Sequence, residues 1–193
     1  MTGGAPQHDV VVLLSGGIDS CACAEYYTEQ GHRVRGLFVD YGQAAACLER
    51  KSARNVASHF PIPLAETRCL GPRRFGSGEV KGRNAFLVLA ALMWCPLGVG
   101  MIAIGVHAGT PYYDCGPLFL REVNRLLDGY ADGRVRCVAP FLEWDKAAIL
   151  EYCRLRALPV ELTYSCEAGT DPPCGRCLSC LDRRALDARS LSA

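Results

Sequence analysis

Six consecutive residues, Ser15-Gly16-Gly17-Ile18-Asp19-Ser20, follow an apolar run that ends at Leu14. A buried strand feeding straight into a helix reads this way, and the two glycines let the turn bring its backbone close to a ligand. Backbone N–H groups and the helix N-terminus then form a cradle for an anion, with the hydroxyls of Ser15 and Ser20 as further donors. Asp19 would repel bound phosphate unless it holds a metal or orients the loop. The stretch is not a Walker A loop, because it lacks Gly-Lys-Ser/Thr, and it lacks the third glycine of a dinucleotide fingerprint. On the two glycines alone, an ordinary strand-to-helix turn has equal standing.

A second cluster lies near the C-terminus, where Cys166, Cys174, Cys177 and Cys180 supply four thiols within a short segment. Two Cys-x-x-Cys steps that share Cys177 let one turn wrap a single ion. Four sulfurs fill a tetrahedral Zn²⁺ shell and leave no open position, so the expected ion is structural rather than catalytic. An Fe–S cluster and a redox dithiol are the alternatives. Cys21 and Cys23 lie just past the phosphate loop. Burial on the first helix is expected for them, with a catalytic thiol as the other reading.

Composition narrows the partners. The chain has 193 residues, half of them hydrophobic, with a net charge of +1 from 21 basic and 20 acidic side chains. It is expected to form one α/β unit, residues 1–162, with a zinc-binding tail, 163–193, packed on it. No global field recruits nucleic acid or an anionic membrane, so no direct nucleic-acid partner is expected. Of the 21 basic residues only Lys51, Lys81 and Lys146 are lysines, so a lysine near a site is worth noting. Eight of the twelve cysteines are scattered, which together with a polar N-terminus (1–9) and no signal-peptide pattern implies a reducing cytoplasm. Residues 85–106 carry no charge and are long enough to span a membrane. Pro96, Gly98 and Gly100 interrupt them, so a helix, a turn and a buried strand are expected instead of a span.

The elements that must hold these residues alternate. Strands are expected at 9–14, 33–40, 64–69, 101–106 and 134–138, and helices at 20–30, 44–60, 83–95, 117–128 and 145–157. Pro117 suits a first helical turn and Asp145 an N-cap. Loops fill 70–82 and 107–116, and a short helix closes the tail. Such alternation implies a doubly wound, mostly parallel sheet covered on both faces. Ligands of such sheets sit beyond the C-terminal ends of the strands. The residues of unusual type fall there, at 15–20, 40–43 and 107–115.

The hexapeptide after an apolar first strand resembles the PP-loop of the N-type ATP pyrophosphatases. That resemblance implies that Ser15, Gly16, Gly17, Asp19 and Ser20, within the stretch from Leu14 through Ile18, hold the β and γ phosphates of ATP with Mg²⁺. Together with the four-Cys tail, it is similar to the 7-cyano-7-deazaguanine synthase (QueC) family. Further stretches match in the same order: Phe38-Val39-Asp40-Tyr41-Gly42-Gln43, Gly82-Arg83-Asn84, Ile104-Gly105-Val106 with Asp114-Cys115, Ala139-Pro140-Phe141 with Asp145-Lys146, Thr163-Tyr164-Ser165-Cys166, and Cys180 with Arg183. The match runs from Val10 to about Ala185.

The resemblance implies adenylation of the carboxylate of 7-carboxy-7-deazaguanine, attack by ammonia to give the amide, and a second ATP-dependent activation to give the nitrile. It places Asp40, Tyr41, Gly42, Gln43 and Gly105 around the adenine and ribose. It makes Arg83 and Lys146, with Asp19, the catalytic candidates. On residue type alone Arg83 reads as a helix cap and Lys146 as a solvated surface charge. Asn84, Val106, His107, Tyr113 and Asp114 become substrate candidates. Asp114 would accept from a guanine-like N1–H and exocyclic amine, and its plainer reading is a turn residue. A homodimer also belongs to what the family implies.

The departures lie at the substrate end. Residues 70–82 and 109–116 are shortened or altered relative to the family, and the loop between the first two tail cysteines is trimmed. A more open site would pass the activated acyl group to a bulkier amine, such as a protein N-terminus, instead of completing the nitrile. More distant readings are a tRNA-thiolating PP-loop enzyme, which needs an exposed catalytic Cys, and a non-catalytic adaptor.

Overall fold

A computed structural model describes residues 8–69, 71–94, 98 and 100–190. Five strands, β1 (Asp9–Leu13), β2 (Arg33–Asp40), β3 (Leu64–Arg68), β4 (Met101–Ala103) and β5 (Arg136–Val138), form one sheet in the order β3-β2-β1-β4-β5. Every pairing is parallel, as expected from the alternation. Val10, Val11 and Val12 of the central strand are almost wholly buried, which fits a strand covered on both faces.

Among the described residues there are six α-helices: α1 (Ile18–Glu29), α2 (Ala46–His59), α3 (Arg83–Trp94), α4 (Pro117–Ala131), α5 (Lys146–Leu155) and α6 (Leu178–Ser190). Val10, Val12 and Phe38 pack on one face with Cys21 and Ala22 of α1, Val56 of α2 and Ile149 of α5. Val11, Leu37, Val39 and Ile102 pack on the other with Val88 of α3 and Phe119, Val123 and Leu127 of α4. The chain runs outward from β1 to β3 and returns on the opposite side of β1 with β4. The strand order therefore reverses beside β1, and a crevice opens there past the strand ends.

Two elements differ from the sequence expectation by more than two residues at one end. Strand β4 stops at Ala103 instead of 106, because Gly105 leaves the sheet to lie against the Asp19 backbone. Helix α4 continues to Ala131 before Asp132 ends it in the left-handed region at φ 50°. Pro117 does open α4, and the Asp145 carboxylate does cap α5 by accepting from Ala148 N–H at 2.7 Å. The expected helix end at 95–96 lies outside the described residues, as do the N-terminal residues 1–7, Leu70, Val99 and 191–193. Among the described residues no helix is long and apolar enough to cross a membrane.

Candidate functional site

The crevice holds a cavity of about 330 Å³, within the range of small-molecule pockets. Its floor is the phosphate loop. Gly17 serves as the N-cap of α1 with no side chain bonded to the helix end, so the first N–H groups of α1 are not claimed by a capping side chain. Ser20 Oγ donates to Gly17 O at 2.9 Å, and Ser15 Oγ donates to Ser20 Oγ at 3.2 Å. These bonds fix both hydroxyls inside the turn.

Two glycines here are required by geometry. Gly16 has φ 80°, and a Cβ on it would sit 2.6 Å from the backbone of Glu49 and Ala53 on α2. A Cβ on Gly105 would lie 2.9 Å from the Asp19 carbonyl carbon. The loop is thus wedged between α2 and the end of β4. Gly16→Ala adds left-handed strain to a backbone clash, about 2–4 kcal/mol together. The expected result is a melting midpoint lower by roughly 5–15 °C, read by calorimetry. An unchanged midpoint would mean that the loop relaxes freely.

Charge gathers at the cavity wall. Lys146, the first residue of α5, donates to both carboxylate oxygens of Asp19, at 2.5 and 2.6 Å. Both side chains are about one quarter exposed and both line the cavity. Arg83, at the start of α3, lines the opposite side, with its Nε donating to Asn84 Oδ1 at 3.2 Å. The structure therefore brings Asp19, Lys146 and Arg83 to one cavity, with Ser15, Gly17, Ile18, Ser20, Leu14, Tyr41, Gln43, Gly105, Asn84, Val106 and His107.

Asp40 and Asp114 stand behind the wall, and Gln43 lines it. Asp40 is buried, its Oδ1 accepting from Gly42 N–H at 3.1 Å and its Oδ2 pairing with Arg50 at 2.8 Å and Arg68 at 3.4 Å. Gln43 accepts from Tyr41 N–H at 3.0 Å and donates to Val39 O and to Glu49 Oε2. Asp40 and Gln43 thus spend their polar atoms on folding the turn that presents Tyr41. Asp114 is buried, and its Oδ2 accepts from Asn84 N–H at 3.1 Å, while Asn84 Nδ2 donates to Asp114 O at 2.8 Å. Asp114 therefore braces the start of α3, and the structure does not bring its carboxylate to the cavity lining. Nor does it bring Tyr113, which is 60% exposed. Gly16, Asp40 and Gly42 are likewise outside the lining.

Four charged residues outside the expected site set line the cavity: Glu49, Glu167, Asp182 and Arg183. Burial pushes the Glu49 carboxyl up, against the hydrogen bond from Gln43 and the charge of Arg83. Burial likewise raises Tyr41, with Arg83 acting the other way. Glu49 sits on a helix with an ordinary polar face, so no local pattern marks it. Arg183 donates to Thr163 Oγ1 at 2.9 Å and Val160 O at 3.0 Å, and its sequence signal was the Cys180-x-x-Arg183 spacing.

The four tail sulfurs converge. The Sγ atoms of Cys166, Cys174, Cys177 and Cys180 all lie within 4.8 Å of one another. Four sulfurs bound to one zinc ion would be about 3.8 Å apart, close to the 4.0 Å between Cys174 and Cys180. Cys174 N–H donates to Cys166 Sγ at 3.3 Å, and Cys177 N–H to Cys174 Sγ at 3.4 Å. Burial alone would push Cys166 up, but N–H donors from Cys174 and Thr170 outweigh it and bring the thiol down to about 5. N–H groups of Arg176 and Cys177 lower Cys174 as well, whereas burial pushes Cys180 up to about 12. A donor set of four sulfurs with N–H groups already aimed at two of them fits a soft tetrahedral ion. The tail also touches the phosphate loop, Tyr164 N–H donating to Gly16 O at 2.9 Å.

The other thiols near the site lack this activation. Burial pushes Cys21 up to about 12 and raises Cys115. Neither is the low-pKa thiolate that nucleophilic thiolation uses.

The family model described as "Queuosine biosynthesis protein QueC" matches residues 9–77 and 66–188. A 7-cyano-7-deazaguanine synthase of Prochlorococcus marinus (strain NATL2A) is 31% identical over 90% of this chain and 90% of its own. The synthase of Synechococcus sp. (strain RCC307) is 33% identical, covering 91% and 92%. That of Aquifex aeolicus (strain VF5) is 32% identical, covering 92% and 95%.

Proposed function

The chain belongs to the QueC family, and from that premise we propose that it is an enzyme that activates the carboxylate of 7-carboxy-7-deazaguanine with ATP. The observation that carries this reading is the Asp19–Lys146 pair at the mouth of the phosphate loop. It sets a cation and a hard carboxylate beside a helix N-terminus that no side chain caps. Polyphosphate needs both, the cation for its charge and the carboxylate for its metal. Mg²⁺, when bound, neutralises the leaving pyrophosphate.

A carboxylate oxygen of the acid attacks the α-phosphorus of ATP. The bond to the bridging oxygen breaks, and pyrophosphate leaves on the loop formed by Ser15, Gly16, Gly17 and Ser20. Lys146 turns from Asp19 to the phosphates, and Arg83 faces the charge developing on the α-phosphoryl group. Ammonia then attacks the acyl carbon, forming the C–N bond and expelling AMP. A second ATP activates the amide oxygen, and loss of AMP and two protons leaves the nitrile. Because Glu49 lines the cavity and Asp114 does not, Glu49 is the carboxylate we assign to the guanine-like N1–H and amine edge. Zinc is the ion assigned to the four tail thiolates, where it supplies no reacting group.

The test combines purified protein with ATP, Mg²⁺ and 7-carboxy-7-deazaguanine, with and without ammonia, read by mass spectrometry. The expected products are AMP and the nitrile. Glu49→Gln is expected to raise KM for the acid about tenfold, as loss of a charged hydrogen-bond partner does, with KM for ATP unchanged. Acid-dependent AMP without nitrile would move the acceptor to another amine, such as a protein N-terminus. No AMP would overturn the adenylation.

A further inference from the structure

The loop at 71–82, between β3 and α3, lies across the cavity and is tied at two points. The first tie is to the turn after β2: Phe75 N–H donates to Gly42 O at 3.0 Å, and Ala44 N–H donates to Phe75 O at 2.8 Å. The second tie is a single carboxylate. Glu167 Oε2 accepts from Gly78 N–H at 2.9 Å, while Oε1 accepts from Ser179 Oγ at 2.7 Å and Ser179 N–H at 3.3 Å.

The place of Glu167 in the chain gives this contact its meaning. It directly follows Cys166, and Ser179 directly precedes Cys180. Closing the four sulfurs on one ion therefore fixes both Glu167 and its Ser179 partner. Gly76, Gly78, Val80, Glu167 and Ser179 all line the same cavity. The tail thus supplies one of the two anchors of this loop.

We propose that Glu167 is a positioning residue that fastens the 71–82 loop over the cavity to the four-Cys cluster, so that the metal-holding tail forms part of the lid. The mechanical half of this stands on the contacts themselves. Its effect on turnover rests on the ATP reading above.

Three exposed trypsin sites, Arg73, Arg74 and Lys81, report whether the loop is held. The experiment uses the full zinc-loaded chain and compares Glu167→Ala and Glu167→Gln with the unaltered protein. Loss of the three hydrogen bonds to this carboxylate, the one from Gly78 among them, is expected to speed cleavage at these sites about tenfold in Glu167→Ala, because cleavage follows the open population. Zinc content is expected to stay unchanged. KM for ATP is expected to rise severalfold, with a smaller effect on kcat. Glu167→Gln restores protection, since its amide oxygen accepts from Gly78 and its amide N–H donates to the Ser179 hydroxyl.

Cleavage of Glu167→Ala at the unaltered rate would overturn the proposal. So would faster cleavage with loss of zinc, which would make Glu167 a structural part of the cysteine knuckle. If Glu167→Ala does not fold, Ser179→Ala removes one donor and is expected to loosen the loop in the same way. Unchanged cleavage there overturns the proposal. Loosening of the loop in a protein that forms no AMP would uphold the clasp and refute the ATP reading.

Discussion

Replacing Lys146 by alanine is expected to slow AMP formation by about 10²–10³-fold, the usual loss when one preorganised cationic or hydrogen-bond donor is removed from developing charge. Asp19 holds this lysine in a two-pronged contact at 2.5 and 2.6 Å. Without Lys146, the Asp19 carboxylate faces incoming polyphosphate with no cation to offset it. Both the transition state and the binding of ATP then suffer. The partner change separates the two effects. Asp19→Asn leaves Lys146 free to meet phosphate but removes the hard oxygen charge that suits Mg²⁺. It is expected to raise the Mg²⁺ concentration needed for half-maximal rate, whereas Lys146→Ala leaves that concentration nearly unchanged. Equal, small effects of both substitutions on rate would show that the pair serves stability alone. The thermal midpoint checks for that outcome, because removing one partner of a pair only about one quarter exposed leaves the other charge uncompensated and lowers stability.

Removing the zinc ion that we propose the four tail sulfurs hold is expected to be the second large effect. With no cation to join them, the four sulfurs within 4.8 Å of one another lose the metal–sulfur bonds that would hold the tail closed, and those that stay thiolate repel. The two N–H donors aimed at Cys166 and Cys174 offset only part of that repulsion. A strong chelator, or Cys174→Ser, is therefore expected to unfold the tail from Thr163 onward. The damage should not stop there, because Tyr164 N–H holds Gly16 O of the phosphate loop. Arg183 bonds Thr163 and Val160, and the Glu167 contact to Gly78 is lost as well. ATP binding should weaken along with tail order. Each kcal/mol lost moves the midpoint of a domain this size by about 2–4 °C, so calorimetry with and without chelator reads the result. A chelated protein that keeps its midpoint and its ATP affinity would show that the cysteines hold nothing that matters to the fold.

The contacts behind these predictions differ in how far apart their partners lie in the chain. The phosphate loop was legible because six adjacent residues suffice to make it. The four cysteines were legible because their spacing alone lets one turn wrap an ion. The strands were legible from short apolar runs, and the sheet from their alternation with helices. Strand β4 was overestimated because Gly105 looks like strand sequence, yet its lack of a Cβ is used to admit the start of α1. Asp114 sat in the expected loop, but a short 3-10 turn over Tyr113–Cys115 aims it at the start of α3. Glu49 and Glu167 were passed over because an acidic residue on a helix face or in a polar tail has no local mark.

The sequence by itself determined the class of fold, the glycine-bearing turn after β1 and the four-sulfur cluster, each encoded within a short window of backbone preference or spacing. Only the tertiary structure decided which charges meet. Lys146 reaches Asp19 across 127 positions and Glu167 reaches Gly78 across 89. Such pairings follow from strand order and from how each helix lies on the sheet. Those are set by the packing of the whole core, and no short stretch of residues contains them.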